Sequence, residues 1–129
     1  AGEKLKDEFA KLQGRIGGMK GVNGTYTTDD ASIGWDAFAE HGKVVFVRVN
    51  TEYDKGGRTS VKYAFKDDKP MFAKQQGGAT VGWDDSGSVI VNEKQGGGTL
   101  DDKELGPLHE AATKAFQMAQ DKVDASKKK

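Results

Sequence analysis

The most constraining feature of this sequence is a series of short stretches between residues 24 and 98 in which apolar and polar residues alternate and glycine fills the gaps. Alternation with a period of two is typical of half-buried strands, and Gly, Asp and Pro between such stretches favour turns. The pattern predicts an antiparallel meander of about five or six strands over residues 24–94. The stretches cover 33–39, 43–53, 58–66, 71–75, 79–83 and 88–93, with a short start at 26–28.

The turn between stretches 43–53 and 58–66 predicts a definite register. A four-residue loop would place Val49 opposite Lys62 and would separate the two apolar faces. A three-residue loop, Asp54–Gly56, keeps those faces together, puts Gly56 where a positive φ is needed, and sets Glu52 opposite Arg58. A slip by one residue would turn the apolar set outward, so we predict the three-residue loop. It pairs Val45 with Phe65, Val47 with Tyr63, and Val49 with Val61.

Helical periodicity marks both ends of the chain. An apolar stripe predicts a helix over about 3–16, and a second stripe predicts one over about 99–124, with Thr99 as its cap and a restart at Gly106-Pro107. The stripe residues are Leu5, Phe9, Leu12, Ile16 and Met19, then Leu108, Ala112, Ala115 or Phe116, Ala119 and Val123. Together with the strands they predict one α+β domain over residues 1–129, an antiparallel sheet flanked by an N-terminal and a C-terminal helix.

Composition limits the classes of function. The chain carries 20 basic and 20 acidic residues and no cysteine. A net charge of zero argues against a nucleic-acid partner, because phosphate contacts need a basic surplus. No apolar run reaches the roughly 18 residues of a membrane span. Without cysteine no disulfide or thiolate metal site can form, and we expect no cofactor. The lysines at 127–129 are expected to form a solvated tail.

Two histidines and several acidic pairs are the candidates for catalysis or metal binding. His41 lies in a predicted turn and His109 in the predicted C-terminal helix. A general base needs a nucleophile and an orienting acid within hydrogen-bond reach, and the sequence places neither beside these residues. The acidic pairs, such as Asp84-Asp85, lack the spacing of a calcium loop and fit turn chemistry. We therefore assign no catalytic and no metal-binding residue.

The second face of the predicted strands 43–53 and 58–66 is the best candidate for a binding surface. Its side chains alternate with the apolar face and are about half polar, although an ordinary hydrated sheet face has the same pattern. The candidate binding residues are Phe46, Arg48, Asn50, Arg58 and Lys62.

Three segments carry a resemblance to a known family. Gly34–Phe38 reads G-W-D-A-F, residues 42–48 read G-K-V-V-F-V-R, and residues 61–70 read V-K-Y-A-F-K-D-D-K-P. These segments resemble small exported proteobacterial proteins of uncharacterised function, and the chain departs from that pattern at Ala64 and Asp68. The resemblance implies a fold rather than an activity. It also implies export, often with a lipoprotein or secretory signal.

These observations favour a non-enzymatic exported domain, periplasmic or secreted after removal of a signal peptide, that binds another protein or an envelope component. One alternative is a small hydrolase-like enzyme that uses His41 or His109. Another is a structural module that oligomerises through the N-terminal helix. The start Ala1-Gly2 fits a mature chain after signal cleavage and fits residues introduced by cloning equally well.

Overall fold

Two helices and seven strands follow one another in a computed structural model that describes residues 2–127. Ala1, Lys128 and Lys129 lie outside the described residues, and with them most of the predicted lysine tail and the first residue of the Ala1-Gly2 start. Helix α1 spans Gly2–Arg15, a 3-10 turn spans Ile16–Gly18, and helix α2 spans Asp102–Lys127. The strands are β1 (Lys20–Thr27), β2 (Ala31–Glu40), β3 (Lys43–Tyr53), β4 (Arg58–Lys66), β5 (Lys69–Gln75), β6 (Ala79–Trp83) and β7 (Val89–Lys94).

All strands are antiparallel to their neighbours, and their order in the sheet follows the chain from β1 to β7. The predicted α+β meander with a helix at each end is therefore confirmed. The strand count was wrong, because the sheet has seven strands rather than five or six.

Strand β1 accounts for most of the difference, because sequence analysis recognised only its last residues. Gly21 and Gly24 look like turn residues, yet both lie inside the strand. A Cβ atom at Gly24 would lie 2.7 Å from the ring of Trp35 on the adjacent strand. Glycine at this position thus makes room for an indole lying across the strand, a packing role that resembles turn chemistry in the sequence.

The predicted loop between β3 and β4 is confirmed. Val49 lies opposite Val61, Val47 opposite Tyr63, and Glu52 opposite Arg58. The N–H of Tyr53 donates to the carbonyl of Gly57 at 3.0 Å, which closes the three-residue loop. Gly56 has a φ of +98°.

The prediction for Val45 was wrong because a β-bulge interrupts this part of β3. Phe38 pairs with Phe46, whereas Ala39 pairs with Val44, so Val45 is an extra residue. Its side chain turns to the face that carries α1, while Val44 joins the opposite core with Val47.

Equivalent bulges occur at Met71 in β5 and at Ile90 in β7, both in the second strand of a hairpin and close to its turn. With the bulge at Val45, all three lie at the same end of the sheet. Bulges bend a strand and increase its twist. The sheet is therefore most strongly distorted along the end that carries the β2–β3, β4–β5 and β6–β7 turns.

The two helices pack on opposite faces of the sheet. Leu5, Phe9 and Leu12 of α1 are buried against β3–β7, and the rings of Phe9 and Phe72 meet in a tilted arrangement with centroids 4.5 Å apart. On the other face α2 covers the larger core, where Phe116 meets Phe65 at 5.1 Å. The stripe predicted for α2 is buried throughout, namely Leu108, Ala112, Ala115, Phe116, Ala119 and Val123.

Helix α2 begins later than predicted. Its cap is Asp101, whose Oδ1 accepts a hydrogen bond from the N–H of Glu104 at 3.1 Å. Thr99 does not cap it because the preceding segment is held against β7. The side-chain amide of Asn92 accepts a hydrogen bond from the N–H of Leu100 at 2.7 Å and donates one to the carbonyl of Leu100 at 3.0 Å. The helix then runs through Pro107 without a restart.

Gln120 is a buried polar side chain that joins α2 to the hairpin of β2 and β3. Its Oε1 accepts from the N–H of Val44 at 2.9 Å, and its Nε2 donates to the carbonyl of Gly42 at 3.0 Å. These bonds connect α2 to the β2–β3 turn and to the bulge beside it, and they give the buried amide its partners.

Candidate functional site

Helix α1 covers only part of its face of the sheet, and the uncovered part is polar. Arg48, Asn50 and Glu52 follow the buried Phe46 at intervals of two residues, so they share its face. Pairing with β2, β4 and β5 extends this surface across the sheet. We call it the polar sheet face, and it consists of Ser32, Gly34, Asp36, Arg48, Asn50, Glu52, Arg58, Ser60, Lys62 and Lys74.

Phe46 is not part of this surface, contrary to the predicted binding set. Its side chain is 0% exposed and lies between Phe9 of α1 and Phe38 of β2, with ring centroids 5.9 and 6.1 Å away. Sequence alternation placed it on the correct face but did not show that α1 crosses that row. The other four predicted residues, Arg48, Asn50, Arg58 and Lys62, are partly or fully exposed on one continuous surface.

A row of charges crosses the polar sheet face next to α1. Asp36, Arg48, Lys62 and Lys74 lie side by side on β2, β3, β4 and β5. Arg48 donates from Nη2 to Oδ2 of Asp36 at 3.2 Å. Among residues 2–127, neither Lys62 nor Lys74 forms an ion pair. Like charges directly opposite on neighbouring strands destabilise a sheet. Lys62 lies between Arg48 and Lys74 and is repelled by both, and of these three cations only Arg48 has an acidic partner within the described residues.

Lys74 is absent from the predicted binding set because its place on this face depends on the bulge at Met71. A plain two-residue turn at Asp67-Asp68 would set Ala73 opposite Lys62 and would send Lys74 to the other face. The bulge shifts the register by one residue and sets Lys74 opposite Lys62. Only the proline at position 70, which cannot donate to a ladder, indicates irregular pairing there.

A shallow groove of about 750 Å³ lies on the end of the polar sheet face away from α1. Gly34 lies in its floor, where the nearest atom to an added Cβ would be Cγ2 of Thr25 at 4.0 Å. Short hydroxyl and amide side chains surround it, including Ser32, Asn50 and Ser60, with Arg58 beside them. The groove offers many hydrogen-bond donors and acceptors beside some apolar surface.

The two histidines are not brought together. His41 lies in the β2–β3 turn with a φ of +56°, and the ring of His109 meets the indole of Trp83 edge-on at 5.1 Å. In the described part of the chain neither imidazole has a hydrogen-bond partner, so neither is oriented by an acid or placed beside a nucleophile.

The acidic side chains of the turns take part in backbone hydrogen bonds. Oδ1 of Asp84 accepts from the N–H of Ser86 and the N–H of Ser88, each at 2.9 Å, and from the Ser86 hydroxyl at 2.7 Å. The hydroxyl of Ser86 and the N–H of Ser88 lower the pKa of this carboxyl. Within residues 2–127 no group of three or more histidine or acidic side chains is arranged to hold a metal ion.

Comparison of the chain with protein-family models, with curated proteins and with solved structures finds no significant match. Neither helix of the described chain has the length and apolar character needed to cross a membrane.

Proposed function

We propose that this protein is a non-enzymatic binding domain that uses its polar sheet face to hold an acidic segment of another protein. We further propose that it acts in the periplasm or at the cell surface, which rests on the resemblance to exported proteins alone. An anionic component of the envelope is the other partner that such a surface would admit.

The observation that carries the proposal is the run of adjacent cations Arg48, Lys62 and Lys74, which we call the cation row. Folding sets three positive side chains next to one another, although the chain as a whole has no net charge. Carboxylates bound along this row would remove the repulsion and form charge-assisted hydrogen bonds, which are stronger than neutral ones. The neutral groups around Gly34 would then bond the backbone of the bound segment.

Neither alternative function gains comparable support. A hydrolase would need one of the histidines beside a nucleophile, and the two lie in separate surroundings. Oligomerisation through the α1 stripe would need that stripe to be available, but Leu5, Phe9 and Leu12 are buried against the sheet.

A direct test uses a fluorescent oligoglutamate peptide as the probe and a neutral peptide of the same length as its control. The double variant Lys62→Gln/Lys74→Gln should weaken oligoglutamate binding by about tenfold or more, since two charge-assisted contacts are lost. The matched control, Lys103→Gln/Lys114→Gln, removes the same charge from α2 on the opposite face and should leave the affinity unchanged. Equal weakening in both double variants would show attraction by net charge alone and would contradict the proposal.

A further inference from the structure

Strand β1 is an edge of the sheet and has a long unpaired side. In an antiparallel pair, residues alternate between those that exchange hydrogen bonds with the partner strand and those that do not. The N–H of Thr28 donates to the carbonyl of Ala31, which fixes the alternation between β1 and β2. The N–H and C=O groups of Gly21, Asn23, Thr25 and Thr27 therefore point away from the sheet.

Within residues 2–127 this side of β1 has little cover. Lys122 of α2 donates from Nζ to the carbonyl of Asn23. The opposite edge, at β7, is different because the chain that follows it turns back along it. The N–H of Lys94 donates to the carbonyl of Gly98 at 3.0 Å, and Asn92 holds Leu100. An exposed strand edge is a template for pairing with another strand.

We propose that a second copy of this chain pairs with β1, antiparallel and about a two-fold axis at Gly24. This register lets all four outward residues exchange both of their hydrogen bonds, Gly21 with Thr27 of the other copy and Asn23 with Thr25. The Lys122 ammonium then shares or leaves the carbonyl of Asn23. Registers displaced by two residues leave some of these groups unpaired. Displacement by one residue would place outward groups opposite inward ones.

The side chains of β1 are complementary to themselves in the same register. Val22 lies opposite Tyr26 of the second copy, and this pair occurs twice by symmetry. Tyr26 is 45% exposed in the single chain, so the pairing covers a large exposed aromatic ring. Charge agrees as well, because Lys20 at one end of the strand comes beside Asp29 and Asp30 of the other copy, all of them exposed. An isologous pair repeats each of these contacts.

Disulfide crosslinking tests the register, and a chain without cysteine gives no background. Val22 and Tyr26 of the other copy form a non-hydrogen-bonded pair, whose Cα atoms lie about 4.5 Å apart and within disulfide range. An oxidised mixture of the Val22→Cys and Tyr26→Cys variants should form a covalent dimer that contains one of each. Each single variant alone should remain monomeric on a non-reducing gel. Crosslinking of Tyr26→Cys with itself, as readily as in the mixture, would overturn the register.

Sedimentation of the unlinked protein tests the pairing itself. Thr25→Pro removes an outward N–H without breaking a bond to β2, so it should abolish the dimer and leave the circular dichroism unchanged. Thr25→Ala keeps the N–H and should dimerise like the wild type. If wild type, Thr25→Ala and Thr25→Pro all sediment as monomers over the soluble concentration range, the proposal is wrong.

Discussion

Individual glycines in this protein have packing roles that differ with the atoms above them. At Gly82 an added Cβ would overlap Cδ2 of Leu5 and would lie 3.2 Å from Val91. At Gly34 the nearest atom would be 4.0 Å away. Both positions are in strands on the α1 face, but only Gly82 lies beneath the helix. The absence of a side chain at Gly82 therefore lets α1 approach the sheet.

These two glycines predict opposite effects of the same substitution. Gly82→Ala should destabilise the protein by about 1 to 3 kcal/mol, because Leu5 and with it α1 must move. Gly34→Ala is the matched control and should be neutral or stabilising by up to about 1 kcal/mol, since alanine loses less backbone entropy than glycine. Urea unfolding followed by circular dichroism measures both. A loss at Gly34 as large as that at Gly82 would contradict this account.

Tyr63 is the residue with the clearest shift in acidity. Its ring is buried beneath α2, and burial raises the pKa of its phenol from 10.0 to about 12, with a smaller rise caused by the phenol of Tyr26. The folded protein therefore keeps this proton at a pH where the unfolded chain has lost it.

We expect Tyr63 to make stability fall with alkaline pH. Its contribution is fully present below pH 10 and is lost as the pH rises from 10 towards 12, by about 2 to 3 kcal/mol over that window. Other groups titrate there too, so the quantity to measure is the difference in free energy of unfolding between wild type and Tyr63→Phe. This difference should shift in favour of the variant between pH 10 and pH 12. A difference independent of pH would refute the assignment.

Among the elements, the bulges decide which side chains meet. The three extra residues lie in β3, β5 and β7, so that one strand separates each bulge from the next. Each bulge changes the face of the residues between it and the turn. Val45 and Met71 are thereby packed beneath α1. The same bulge at Met71 places Lys74 opposite Lys62. The packing of α1 and the row of cations therefore have a common origin in the irregular ends of the strands.

If the cation row carries uncompensated repulsion, removing one member should stabilise the fold. Lys74→Gln is expected to raise the free energy of unfolding by about 0.2 to 1 kcal/mol at low ionic strength. The gain should shrink as salt is added, because salt screens exposed charges. Lys103→Gln, on α2, should show neither effect. Urea midpoints at two salt concentrations test this, and a salt-independent loss of stability in Lys74→Gln would exclude repulsion.

The regular elements of this fold were predictable from the sequence, whereas the irregular ones were not. The β3–β4 loop was predictable because two alternating faces had to meet and a glycine stood where the turn needed one. The sequence did not predict the burial of Phe46, the position of Lys74 or the start of β1. A bulge and the path of a helix over the sheet depend on contacts between residues that are distant in the chain. Four of the five candidate binding residues lie on one surface, but the residue that completes the cation row was absent from that set.

The whole molecule is a sheet between two unequal cores. The α2 face holds the larger cluster, built around Trp35, Tyr63, Phe65 and Trp83. The α1 face holds a smaller one around Phe9, Phe46 and Phe72. Because the sheet separates the two clusters, damage to the smaller one need not reach the helix on the other side.

Phe9→Ala should therefore loosen one side of the molecule. Phe9 is 4% exposed and contacts both Phe46 and Phe72, so its removal should cost about 3 to 5 kcal/mol. We expect hydrogen exchange of α1 amides to accelerate while α2 amides keep wild-type protection. The control Lys11→Ala, at an exposed position of α1, should change neither. Equal acceleration in both helices would show that the two sides unfold as one unit.

The order of elements has a consequence for how the chain assembles. Each hairpin closes a short loop, whereas the helices make the longest closures, 87 residues between Lys6 and Glu93 and 106 between Lys20 and Ser126. Local pairings form earlier than contacts between distant residues. A chain that has emerged only as far as β7 would therefore show the apolar underside of a sheet to its surroundings. This apolar surface would need a chaperone, or rapid completion of the chain, until residues 102–127 cover it.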